Sequence, residues 1–393
     1  MQKLIVISER RSNQLKQQYK RFLFHEIDWN QKLIVLLGHR GVGKTTMLLQ
    51  TMQQREKSIY MSLDNIYFEA NRLVHTVEEL YQNGIRNFFL DEVHRYPHWS
   101  GDIKNIYDNY DDVRLVTTGS SILELSKGQA DLSRRALTYY LPGLSFREFL
   151  ELQTDQKWAT LELKQVFEEH EQLSANMTDR EDILKQFQDY LKFGYYPFFL
   201  EGTNSYFSKL LETSNLIIDL DINAYEELQY ATIRNLKKLL YIISQSVPFK
   251  PNVTKLAQQM SVSRNTLLKM LDLMNRAQLL TLLKSDARGN SFLQKPEKVY
   301  LNNPNLLWAF SDGKPGIGNL RETFFLNQLS VKHEVSSSKW ADFLVDIKFT
   351  IEVGGASKTA RQIKGVPEAH LALDGLKHGS RNRIPLWMFG FLY

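Results

Sequence analysis

The chain has 393 residues, with 49 Lys and Arg against 44 Asp and Glu and no cysteine, so disulfide frameworks, thiolate metal sites, iron–sulfur clusters and catalytic thiols are excluded. Its length predicts two or three domains, and 43% apolar with 12% aromatic residues suits packed cores rather than disorder. MQKLIVISERR has four consecutive apolar residues before charge returns, too few for a secretory leader, and no run approaches the ~20 residues that span a bilayer. A soluble, cytoplasmic chain with no membrane partner is expected.

The net charge of +5 is a cancellation. Residues 1–150 carry +3, 151–233 carry −10, 234–303 carry +9 and 304–393 carry +3. Such asymmetry points to nucleic-acid contact by the basic segment, or to packing of the acidic and basic segments against each other.

From the N-terminus, residues 8–28 read as a charged, aromatic-bearing helical lead-in. LIVLLG (33–38) is a continuous apolar run ending in Gly, the pattern of a strand buried on both faces. Directly after it, Gly38-His39-Arg40-Gly41-Val42-Gly43-Lys44-Thr45 fits G-x-x-x-x-G-K-[ST] between a predicted strand and a predicted helix, 44–55. The glycines let backbone N–H groups turn inward onto phosphate oxygens at the helix N-terminus. Lys44 supplies charge to the β- and γ-phosphates and Thr45 a hydroxyl to Mg²⁺, with Thr46 beside the α-phosphate.

Three more strand-like runs follow, SIYMSL (58–63), NFFLDEV (87–93) and VRLVTTGS (113–120), alternating with helix-like stretches at 68–83 and 101–109. The alternation predicts a parallel sheet with helices on both faces. Asp64, after SIYMSL, is either near a metal or a helix cap. In Asn87-Phe88-Phe89-Leu90-Asp91-Glu92 a buried strand ends in two carboxylates. Asp91 suits Mg²⁺ through its water shell, and Glu92 suits the base that takes a proton from the attacking water. Thr118 or Ser120 at the tip of VRLVTTGS can face the γ-phosphate. Of Arg134 and Arg135, one, Arg135 by preference, can offset transition-state charge in a neighbouring subunit of a homo-oligomer.

Residues 146–246 have helical periodicity, broken by GYYPFF (194–199), whose aromatics are read as packing. In 254–283 a short helix capped by Thr254 leads through SVS into a longer helix capped by Ser263. Two apolar segments flank Ala287-Arg288-Gly289-Asn290, which makes a winged helix-turn-helix. Arg264, Asn265, Lys269 and Arg288, with Lys284 and Lys295, are its candidate contacts to double-stranded DNA, while Leu267, Leu268, Leu271 and Met274 are core. The last 80 or so residues, with VKHEVS, DFLVDIKFTIEVGG, AHLALDG and LWMFGFLY, predict a small α/β or α+β domain.

GHRGVGKTT, MSLDN, FLDEVHRYPHW, LVTTGSS, RRALTYYLPGLSFREFLEL, KVYLNNPNL and FTIEVGG together resemble the prokaryotic AAA-type ATPases that join a P-loop domain to a winged helix and a nuclease-like C-terminal domain. The resemblance implies ATP and Mg²⁺ as cofactors and an oligomeric or DNA-associated role. It gives a P-loop ATPase domain over 1–145, a helical region over 146–233, a winged helix over 234–303 and a restriction-nuclease-like α/β domain over 304–393. In restriction-type nucleases a strand-borne Asp and an E-x-K triplet bind Mg²⁺. Asp342 and Glu352 fit the carboxylates, but the triplet reads Glu352-Val353-Gly354, so Lys348 or Lys358 would have to stand in, and an inactive domain is expected. The expected function is a Mg²⁺-dependent ATPase that couples its cycle to the winged helix. A nucleotide-gated DNA-binding scaffold and an ATP-regulated nuclease are the alternatives.

Overall fold

The computed structural model describes residues 1–16, 18–122, 132–178, 182–223, 228–245, 250–285 and 295–393. The chain divides into two compact units, Met1–Pro142 and Gly143–Tyr393. The helical, helix-turn-helix and C-terminal parts expected separately thus lie in one unit.

Unit 1 is built on five strands, β1 (Leu33–Gly38), β2 (Ser58–Ser62), β3 (Asn87–Asp91), β4 (Arg114–Ser120) and β5 (Leu137–Tyr140). Their order is β2-β3-β4-β1-β5 and every pairing is parallel. All six residues of β1 are buried. Leu33, Val35 and Leu37 pack in a core with Leu73, Val77 and Leu80 of the helix Leu73–Gln82 and Ile103 and Ile106 of the helix Trp99–Asn109. By strand alternation, Ile34 and Leu36 face the opposite side. The helix Lys44–Met52 contacts β1 to β4 and buries Met47, Leu48 and Met52. Because the chain leaves β1 for the far edge and returns through β4, the ends of β1, β4 and β3 lie side by side. In open parallel sheets that edge is where ligands bind.

The lead-in is two helices, Gln2–Asn13 and Phe22–Glu26, in place of one stretch over 8–28. The strand expected to run to Val93 stops at Asp91, because Glu92 takes a left-handed conformation (φ 54°) and a 3₁₀ turn begins at Val93.

In unit 2 the helix Phe146–Thr154 starts with a capping box between Ser145 and Glu148. The GYYPFF aromatics are packing, as expected: Tyr195, Tyr196 and Phe199 are buried, and the Asn305 amide donates to the carbonyls of Tyr190 (3.1 Å) and Leu191 (3.0 Å) while accepting from the Tyr195 N–H (2.8 Å). The helices Val253–Met260 and Arg264–Arg276 are followed by an antiparallel pair, β6 (Leu280–Leu283) and β7 (Lys298–Leu301). The first helix is capped by Asn252, whose side chain accepts from the Lys255 N–H at 3.0 Å, rather than by Thr254. Ser263 caps the second, as expected.

The second sheet holds β8 (Val335–Ser337), β9 (Phe343–Val345), β10 (Phe349–Gly355), β11 (Ala369–Asp374) and β12 (Arg383–Pro385) in the order β12-β11-β10-β9-β8. Strands β10, β11 and β12 are parallel, whereas β8, β9 and β10 are antiparallel. The single run DFLVDIKFTIEVGG folds back on itself at Asp346 and Ile347, both with positive φ. The helix Ile317–Leu329 packs on β10, and the Ser337 N–H donates to the Lys284 carbonyl at 2.8 Å, which ties the β6–β7 pair to the sheet.

Candidate functional site

Between β1 and the helix Lys44–Met52 the backbone of residues 38–43 makes a tight loop. A Cβ at Gly38 would lie 2.5 Å from the Leu141 carbonyl oxygen, and Gly43, which caps the helix, has φ 101°, so both positions need glycine. The buried Arg21 guanidinium donates to the carbonyls of Val42 (2.9 Å) and Pro142 (3.0 Å), which fixes the loop from below. Lys44 is buried and its ammonium donates to the carbonyls of Gly38 (2.9 Å) and His39 (3.0 Å), so it is curled inside the loop. His39 is buried, with Nδ1 2.8 Å from the Arg40 carbonyl.

Asp91, at the end of β3, joins the loop to the sheet. Its Oδ2 accepts from the Thr45 hydroxyl at 2.8 Å and the Tyr60 hydroxyl at 2.9 Å, and its Oδ1 accepts from the Thr118 hydroxyl. Burial, and then the Asp91 charge, push the Tyr60 phenol well above its usual range, so Tyr60 remains a donor. Thr118 in turn accepts from the Glu92 N–H at 3.1 Å. The Glu92 carboxylate lies 3.8 Å from Arg40 of the loop and 3.4 Å from Nε2 of His94, and His94 Nδ1 accepts from the Ser120 N–H at 3.4 Å. The structure thus gathers Lys44, Thr45, Asp91, Glu92, Thr118 and Ser120 at one edge, and adds Tyr60 and His94.

Arg135 stands elsewhere on unit 1. In the turn before β5 it forks the Asp108 carboxylate at 2.8 and 3.0 Å, and that pair holds the Asp108 carboxyl below its usual range. Asp64 accepts from the Ser62 hydroxyl. In unit 2, Arg264, Asn265 and Lys269 are exposed along the helix Arg264–Arg276, while Leu267, Leu268, Leu271 and Met274 are buried on its other side. Arg288 lies outside the described residues.

Asp342 and Glu352 belong to a second carboxylate cluster, with a third member, Glu322, on the helix Ile317–Leu329. Lys298 at the start of β7 bridges Glu322 (3.1 Å) and Asp342 (3.2 Å), and the Tyr300 hydroxyl donates to Glu322 at 2.7 Å. Asp342 also accepts from the Val353 N–H at 3.1 Å, and Lys358 pairs with Glu352. Burial would lower the Lys298 ammonium, but the Glu322 and Asp342 charges raise it. Burial pushes the Glu352 carboxyl up, against the bond from Lys358. Lys348 instead lies over the Phe349 ring. Among the described residues, no three His, Asp or Glu side chains surround one point as a metal would require, the lysines standing between them.

A five-stranded parallel sheet with G-x-x-x-x-G-K-T between β1 and its following helix defines unit 1 as a P-loop NTPase fold. More particularly, residues 30–150 match the family model described as AAA domain. Over its length the chain is 27% identical to the uncharacterized protein MJ1637 of Methanocaldococcus jannaschii, with 90% of this chain and 82% of the relative covered. Among solved structures it is similar to Aeropyrum pernix ORC1 in complex with DNA (13% identity, 72% of this chain and 86% of that one, TM-score 0.30). A RuvB of Thermotoga maritima is similar at 16% identity over 64% and 82% of the two chains, TM-score 0.30. At such scores the likeness carries no functional implication. Among the described residues no helix is long and apolar enough to cross a membrane.

Proposed function

We propose that the protein is a Mg²⁺-dependent ATPase whose nucleotide lies on residues 38–46. The observation that carries this reading is the bond from Thr45 to Asp91, which joins the first residues of the phosphate-loop helix to the end of β3. Mg²⁺ would be held by Thr45 and, through water, by Asp91, which three neutral hydroxyls orient without cancelling its charge. Lys44, curled against loop carbonyls, turns outward to the β- and γ-phosphates. Glu92 serves as the base, with His94 and Arg40 flanking its carboxylate and Ser120 at the adjoining strand end. Arg135 supplies the cation to a neighbouring copy's nucleotide, leaving Asp108 to do so. Lys44→Ala protein should lose binding of a fluorescent ATP analogue while keeping its fold, and retained binding refutes the phosphate-loop assignment.

A second reading, DNA binding by unit 2, is favoured by the exposed Arg264, Asn265 and Lys269 beside the β6–β7 pair. That arrangement suits a winged helix with its second helix in the major groove and phosphate contacts around it. ATP-driven change in unit 1 would then be coupled to DNA. A gel-shift titration across salt, with and without ATP, tests it: binding should weaken as salt rises and in Arg264→Ala and Lys269→Ala, and absence of binding at low salt removes the reading.

A further inference from the structure

Of the six tryptophans, five are buried or half-buried, whereas Trp340, in the turn between β8 and β9, is 61% exposed. A lone exposed apolar side chain needs no explanation. This one lines a cleft of about 630 Å³ within unit 2, a volume in the range of cofactor-sized ligand sites, roughly 300 to 1,000 Å³. One wall is formed beside the β6–β7 pair by Ser285 and Glu297, and the other by the turn with Leu344 of β9. The turn is held by its own hydrogen bonds: the Ser338 hydroxyl accepts from the Trp340 N–H at 3.1 Å and from the Ala341 N–H at 3.2 Å, which fixes the backbone that carries the indole. The bond from the Ser337 N–H to the Lys284 carbonyl joins the two walls.

Charge decides what such a cleft takes. Lys339 is exposed beside Trp340, and Lys295 is exposed two residues before Glu297. Asp342, at the end of the turn, is already paired with Lys298. Strands β6 and β7 belong to the segment 234–303, whose charge of +9 favours a polyanion. An aromatic face with lysines beside it suits a single strand, ring on base and cation on backbone. Duplex DNA keeps its bases stacked on one another and offers the indole no base face. Glu297, the acidic side chain of the lining, repels phosphate but accepts from a base N–H. We propose that this cleft binds an unpaired stretch of single-stranded DNA, with a base stacked on Trp340, the backbone against Lys339 and Lys295, and Glu297 on the base side. The proposal rests on the reading of unit 2 as DNA-binding and names the form of DNA, one that carries an unpaired stretch.

The test is fluorescence anisotropy of a labelled oligothymidylate of about 20 nucleotides, which forms no duplex, titrated with the full-length protein beside a labelled duplex. The wild type should bind the oligothymidylate with quenching of its tryptophan emission. Trp340→Ala should weaken that binding about tenfold or more and remove the quench, while Trp340→Phe keeps a ring and should lose no more than about threefold. Lys339→Ala should weaken it less and flatten its salt dependence. Duplex binding should be unchanged by Trp340→Ala and weakened by Arg264→Ala, so the two readings fail separately. Wild-type protein that binds duplex but not oligothymidylate overturns the single-strand site alone, and binding of neither overturns the DNA reading with it. Oligothymidylate binding that Trp340→Ala leaves intact also overturns the proposal. So does a wild-type dimer in sedimentation that Trp340→Ala makes monomeric, which assigns the cleft to a second copy.

Discussion

Asp91 and Glu352 are both buried carboxylates on parallel strands, 3% and 2% exposed, yet their neighbours treat their charge in opposite ways. Asp91 is surrounded by hydroxyls from Thr45, Tyr60 and Thr118, donors that orient an anion and leave it negative. Glu352 and its companions Glu322 and Asp342 face Lys298 and Lys358, which hold them by opposite charge. On the proposed function, the first arrangement holds an anion for a metal that arrives with its nucleotide. The second neutralises its carboxylates with ammonium groups of the chain itself.

The largest effect separating the two should come from Lys298→Met. It leaves Glu322 and Asp342 without their shared cation and should cost unit 2 about 3 to 5 kcal/mol in denaturant unfolding. If it costs less than about 1 kcal/mol, the lysine is not a counter-charge. Thr118→Val comes next, since it removes a donor to Asp91 and leaves the Glu92 N–H without its acceptor. About 2 to 3 kcal/mol from unit 1 is expected. Tyr60→Phe removes one hydroxyl from the same carboxylate and should cost about 1 to 2 kcal/mol, readable as a smaller shift of the same transition.

The smallest effect is with pH, through a third buried carboxylate. Burial would raise the Asp102 carboxyl, but bonds from Arg72 and the Tyr96 hydroxyl hold it below its ordinary value. Its stabilisation is therefore complete above the usual carboxylate range and lost as pH falls through the lowered value. Asp102→Asn protein should unfold with a shallower acid dependence than wild type, and an identical dependence would remove Asp102 from the account.

Strands β1 to β4 were legible because each is a short apolar run that ends at a turn or a polar tip, and the phosphate loop because its spacing and its flanking elements agree. Strand β5 was not, for a physical reason: Leu137–Tyr140 is a four-residue edge strand with three of its residues exposed, too short and too little buried to show the long apolar run of a central strand. The Thr254 cap failed because Asn252, two residues earlier, is the better acceptor. Tyr60 and His94 belong to no spacing motif, since their roles depend on which strands are neighbours, and β4 lies between β1 and β3. The second cluster was half legible. Asp342 and Glu352 fit a spacing pattern, whereas Glu322, Lys298 and Tyr300 reach them only through the packing of a helix and a hairpin strand.

The claim that unit 1 hydrolyses ATP with Glu92 as base is tested most directly by steady-state ATP turnover of Glu92→Gln protein, measured beside its ATP affinity. Binding close to wild type with turnover lowered about 10²- to 10⁴-fold is predicted. Turnover at the wild-type rate would contradict it.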